Sequence, residues 1–245
     1  TAGQSGVSIG KTITTSRSAV AIGSAHTSVG QNATVIGKSN TAGQSQVVIG
    51  SGNYSGGTGG TVVGSNNQAG TSGTAFGTSN FASNGVSIGS GNKTTGTGGN
   101  LAIGQSNTAS TGTTIIGSNN TSNSNGSVVL GKSNTSNSYS TIIGSSNSSN
   151  SRQHVFGVSN RSNSDNGRIY GSGNSDNVRS YIFGHNNSSN DRSNIYGNSN
   201  TNQSISSYIY GVANTDTKSV QSAYKFIFGA GNLVSTSGYA YGTNN

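Results

Sequence analysis

An apolar residue followed by glycine recurs eighteen times in this 245-residue chain, from Ile9-Gly10 to Tyr241-Gly242. The anchor glycines are separated by 17 steps averaging 13.6 residues, and all but three steps are 13 or 14. Steps of 12 and 15 flank Gly89 and compensate each other, while a step of 18 from Gly211 to Gly229 predicts a bulged loop within 215–223. A unit this short cannot bury a core of its own, so units must stack, each strand pairing with its equivalent one repeat away. Helix is excluded, because the apolar residues come in runs of two or three rather than at 3.6 spacing, among poor helix formers. The expected fold is all-β: a single parallel β-solenoid, or β-roll, over 1–245, with about 18 coils of 13–14 residues.

Sixteen of the eighteen anchors are followed three residues later by Asn; only Gly10 and Gly23 are not. The pairs Gly37 and Asn40, Gly117 and Asn120, Gly144 and Asn147, and Gly184 and Asn187 therefore mark coil corners. Three residues further on stand Gly43 and Gly70 early in the chain, and Asn123, Asn137, Asn150, Asn163, Asn177 and Asn190 later. Gly and Asn both tolerate left-handed backbone, so their interchange predicts a second turn at this position.

Composition then acquires a meaning. Ile, Val, Leu and Phe supply 43 of 245 residues, below the roughly 20% at which disorder becomes the default reading. Disorder also calls for high net charge, and +8 over this length is modest. The chain has no proline, as expected where a continuous ladder needs nearly every backbone N–H. Two or three apolar side chains per coil suffice if every coil fills the same place.

The two residues before the anchor are both apolar in many coils, as in Val35-Ile36, Val48-Ile49, Ile115-Ile116 and Ile142-Ile143. Neighbouring strand residues point to opposite faces. The wall therefore reads as buried on both sides, one against its own lumen and the other against a further copy or a second layer. Ile36, Ile49, Ile116 and Ile143 are packing candidates, continued by the aromatic file Phe156, Tyr170, Phe183, Tyr196, Tyr210 and Phe228. Tyr181, Tyr208, Phe226 and Tyr239 lie two residues upstream of aromatic anchors, on the same face. One reading is a stacked ladder that stabilises the coil; the other is an exposed file that stacks on sugar rings. Thr34, Thr61, Thr74, Thr114 and Thr141 share a column that Val47, Val86, Leu101 and Val128 interrupt, which argues against a dedicated ice-binding face.

Chemistry-bearing residues are few. The only carboxylates are Asp165, Asp176, Asp191 and Asp216. Asp165 and Asp176 are the one candidate pair for sugar hydrolysis, no serine has an evident activating partner, and the expectation is a non-enzyme with neither metal nor cofactor. Arg152, Arg179 and Arg192 each stand eight residues after an anchor and form a candidate glycan strip, which Asp165, Asp176 and Asp191 would partly neutralise. The positive charges are isolated rather than clustered, which argues against nucleic acid. No apolar run is long enough to span a membrane. A chain starting at Thr1 without Met reads as processed or excised.

The segments Ser18-Ala19-Val20-Ala21-Ile22-Gly23, Ala33-Thr34-Val35-Ile36-Gly37 and Val86-Ser87-Ile88-Gly89 resemble the head repeats of trimeric autotransporter adhesins. That resemblance covers most of the chain in period, departs from the family at the Asn after each anchor, and implies a left-handed β-roll that trimerises along its length. The Gly-x-Asn-Asn pieces at Gly64 to Asn67 and Gly117 to Asn120 also look like the β-roll ice-binding proteins of grasses. Placing Asn245 before Thr1 completes a coil of normal length, so end-to-end stacking through Thr1, Ala2, Gly3, Tyr241, Gly242 and Asn245 is a further expectation. The function expected is a non-enzymatic structural fibre or adhesin shaft, extracellular or on a cell surface, that associates with itself laterally and end to end. Ice binding and a polysaccharide-binding tail-fibre segment are the alternatives.

Overall fold

Each repeat contributes one long strand, such as Thr34–Lys38 or Tyr181–His185, and one short strand, such as Thr41–Gln44 or Ser188–Asp191. Long strands pair in parallel with long strands and short with short, so two parallel sheets form a β-solenoid of about 17 turns. The structure, a computed structural model, describes residues 2–123, 125–217, 224–235 and 238–245. No helix occurs among the described residues. The chain divides into two compact units, Thr1–Thr121 and Ser122–Asn245. Of the expected loop within 215–223, Thr215–Asp216 is a short strand, and 218–223 lie outside the described residues, as does Thr1.

In the first unit the register keeps like residues together: Val35 pairs with Val48, Ile36 with Ile49 and Gly37 with Gly50. The same holds in the second unit, where Ile182 pairs with Ile195, Phe183 with Tyr196 and Gly184 with Gly197. The long strand alternates as a pleated strand must: Val35 is fully buried whereas Ile36 is 37% exposed. Only one of the two apolar columns is therefore interior.

The lumen is correspondingly narrow. In the first unit it holds Val35, Val48, Val62 and Ile115 from the long strands, facing Ala42, Ala69, Ala82 and Ala109 from the short ones. In the second unit the long-strand column is mostly isoleucine, and serine replaces alanine opposite it. Those serines pair across the coil, Ser136 with Ser127 at 2.9 Å, Ser140 with Ser149 at 2.7 Å and Ser180 with Ser189 at 2.7 Å. In the second unit one large aliphatic residue per coil plus small polar groups fills the interior, while coils of the first unit bury the expected two or three apolar residues, as with Ala33, Val35 and Ala42. These buried hydroxyls are tolerated because they pair with one another, whereas the buried Ser55 hydroxyl and Gln46 side-chain amide of the first unit make no hydrogen bond among the described residues.

The corners are built by three residues with separate tasks. Gly184 has φ +132, a region open essentially to glycine, and a Cβ there would lie 1.8 Å from the carbonyl oxygen of Gly197 in the next coil. Asn186, two residues on, takes the left-handed conformation with φ 53. Asn187 then turns its amide inward, donating to Gly197 O at 2.7 Å and accepting the backbone N–H of Asn200 at 3.0 Å. Asn40, Asn120 and Asn147 occupy the same buried place. Asparagine is thus selected for its amide, which caps strand-end groups that the corner would otherwise leave unpaired.

The second turn is displaced from its expected place. Left-handed residues there are Ser45, Ser72, Arg152, Arg179 and Arg192, not Gly43, Gly70 or the later asparagines. Gly43 is needed for close approach, since a Cβ would meet Gly57 O at 2.3 Å. Asn123, Asn137 and Asn150 instead form an exposed amide file, with Asn123 donating to Asn137 at 3.0 Å and Asn137 to Asn150 at 2.8 Å.

Candidate functional site

The outward face of the long-strand sheet carries a regular apolar surface. In the first unit Ile22, Ile36, Ile49, Phe76, Ile88 and Ile116 stand in register on it and are 36% to 43% exposed. Two residues upstream on each strand, Thr34, Val47, Thr61, Thr74, Val86, Leu101 and Thr114 face the same way. Neither column of this unit contains a charged residue from Val20 to Ile116.

In the second unit Ile143 is followed by the aromatic file from Phe156 to Tyr241. Its rings stack face to face: Phe156 on Tyr170 at 5.0 Å, Tyr170 on Phe183 at 4.6 Å, Phe183 on Tyr196 at 5.0 Å and Tyr196 on Tyr210 at 4.7 Å. Interplanar angles in these pairs stay within 6°. Phe228 and Tyr241 extend the stack, and Tyr208, Phe226 and Tyr239 form a second one beside it. A pyranose binds an aromatic ring through the ring face. Within this ladder the ring faces are taken by neighbouring rings, as Tyr170 lies between Phe156 and Phe183 and Tyr196 between Phe183 and Tyr210. Tyr210 has its phenol pKa pushed up by partial burial and by the neighbouring Tyr196 and Tyr208 phenols.

A comparison with protein-family models and with curated proteins finds no match for this chain. The function must therefore be argued from the surfaces themselves.

The remaining candidates divide between inside and outside. Asp176 is fully buried, where its Oδ2 accepts the Ser162 hydroxyl at 3.3 Å, while Asp165 is exposed at a corner. The two carboxylates lie on opposite sides of the wall and make no hydrolytic pair. Arg152, Arg179 and Arg192 sit exposed at left-handed corners. Arg179 and Arg192 occupy successive coils, joined by the Arg192 N–H to Val178 O bond of 2.8 Å. Arg192 Nε lies 3.8 Å from Asp191.

Among the residues expected at the ends, Gly3 N–H donates to Thr15 O at 3.0 Å, Tyr241 and Gly242 pair with Phe228 and Gly229, and Asn245 N–H donates to Asn232 Oδ1 at 3.1 Å. Among the described residues no group of three potential metal ligands occurs, and no helix is long and apolar enough to cross a membrane.

Two features escaped sequence reasoning. One is the inward turn of the corner Asn, whose invariant spacing from the glycine was the available signal. The other is a buried Lys225–Asp216 ion pair within the long step from Gly211 to Gly229.

Proposed function

We propose that the chain is a non-enzymatic structural shaft, of a fibre or adhesin at the cell surface, whose copies associate side by side through the outward face of the long-strand sheet. The observation that carries this reading is the charge-free file of half-exposed Ile and Phe side chains in register in the first unit. A contiguous apolar face of this kind marks an interaction surface on a soluble protein. Its repeat is the strand spacing of about 4.8 Å, so the partner that matches it along its length is a surface of the same period. A second copy supplies that surface. The resemblance to adhesin head repeats points the same way and adds the cell-surface setting.

Sedimentation velocity over a range of concentrations tests the reading. The wild-type chain should sediment as an oligomer, and an Ile49→Lys, Ile88→Lys double variant should sediment as a monomer with an unchanged β-type circular dichroism spectrum. Wild-type protein that remains monomeric at the highest concentration overturns it.

A second reading uses the same face. Thr34, Thr61, Thr74 and Thr114 lie half-exposed beside the Ile file, and although Val47, Val86 and Leu101 interrupt their hydroxyls, the in-register methyl groups of the column offer a surface on which water can order as at ice. Thermal hysteresis is its measurement; ice growth unaffected at millimolar protein removes it.

A further inference from the structure

The arginine corner of the second unit carries a different kind of surface from the apolar face. Two open cavities lie there and share Arg192. One, of about 390 Å³, is lined by Asn163, Asp165, Asn177, Val178, Arg179 and Arg192. The other, of about 320 Å³, is lined by Asp191, Arg192, Ile205, Ser206 and Tyr224.

Several groups in this groove keep bonding capacity that the chain does not use. Arg179 is exposed and its guanidinium has no hydrogen-bond or carboxylate partner among the described residues. Asn177 accepts from Asn163 at 3.2 Å and donates to Asn190 at 3.3 Å, which leaves one amide N–H unused. Tyr224 is 71% exposed. Its ring has no stacking partner among the described residues, unlike the rings of the ladder.

We infer that this groove binds an acidic saccharide, a chain of sugars bearing carboxylate or sulfate groups. Guanidinium forks match carboxylate and sulfate oxygens with charge-assisted hydrogen bonds, and Arg179 and Arg192 stand one coil apart to receive them. Sugar hydroxyls need both acceptors and donors, supplied by the Asp165 carboxylate and the free N–H of Asn177. The open face of Tyr224 gives a pyranose the stacking platform that the ladder withholds. Asp165 and Asp191 set the groove apart from a polyphosphate site, since they need hydroxyl donors, which a saccharide carries on every ring and a DNA backbone lacks.

The test is titration calorimetry of the full chain with a galacturonate hexamer, a heparin-derived hexasaccharide, maltohexaose and an oligothymidylate. Binding is expected for one or both acidic hexasaccharides and for neither maltohexaose nor the oligonucleotide. An Arg179→Gln, Arg192→Gln double variant should weaken that binding by about tenfold or more, and Tyr224→Ala by several-fold. A Lys11→Gln, Lys38→Gln variant should leave it unchanged. Circular dichroism checks that each variant keeps the β-roll. The inference is overturned by no binding at low salt, by equal binding of the oligonucleotide, by equal loss in the lysine variant, or by undiminished binding in the arginine variant. Sedimentation of the same samples reports separately on lateral association.

Discussion

The imidazole Nδ1 of His26 accepts the backbone N–H of Asn40 at 3.3 Å, and its Nε2–H donates to Ile22 O at 3.2 Å. Asn40 makes the matching pair of contacts one coil on, accepting Asn53 N–H at 3.0 Å and donating to Ile36 O at 3.1 Å. His26 is thus a rung of the asparagine ladder written in another residue. His26→Asn should preserve or raise stability, because an Asn there gains the further bond that Asn40 donates to Gly50 O at 2.8 Å. His26→Ala strands a buried N–H and should cost about 1–3 kcal/mol in urea unfolding.

Gly184→Ala should prevent folding of its coil. The added Cβ falls 1.8 Å from the Gly197 carbonyl oxygen and 3.1 Å from the Asn187 amide nitrogen, and φ +132 is closed to alanine. Expression yield and circular dichroism report the outcome; a well-folded variant would refute the close-stacking account. Gly98→Ala is the contrast, since nothing lies within 4 Å of where its Cβ would stand; its φ of +78 limits the expected cost to local strain of about 1–2 kcal/mol.

Lys225 and Asp216 form a fully buried ion pair. The ammonium also donates to Ser204 Oγ at 3.0 Å and Thr217 O at 2.8 Å, and Ser207 Oγ donates to Asp216 Oδ2. Lys225→Met leaves the carboxylate buried without its counter-charge and should cost about 3–5 kcal/mol. In register, Lys225 replaces Ser207 and Asp216 replaces Asn202 of the preceding coil. The double change Lys225→Ser, Asp216→Asn should therefore cost less than the two single changes summed, a coupling that a double-mutant cycle in urea measures.

Stability should fall at alkaline pH through the aromatic ladder. The Tyr210 phenol is raised above its ordinary 10.0 by partial burial and by its tyrosine neighbours. A raised acid favours the neutral folded form, so its contribution is complete below pH 10 and is lost as pH climbs through the folded value. Tyr210→Phe should flatten that alkaline decline. Absorbance titration of the phenolate, run beside thermal melts from pH 8 to 12, checks both halves of the prediction.

The spacing of glycines such as Gly37, Gly117 and Gly184 was enough to establish a parallel solenoid and its register, because only stacking lets so short a unit bury anything. Aromatic stacking from Phe156 onward was legible for the same reason: one residue type at one place in every coil must meet itself. Which of Val35 and Ile36 points inward was not legible, since both are aliphatic and the pattern is symmetric in polarity. Nor could Asn40 be known as a buried amide rather than an exposed turn, because composition reports tolerance of a conformation and not the direction of a side chain. The groove at Arg179, Arg192 and Tyr224 depended on folding altogether. It joins residues from separate coils at one corner, while the same folding buries Asp176 and leaves Asp165 outside, a sorting set by which side of the wall each strand position faces.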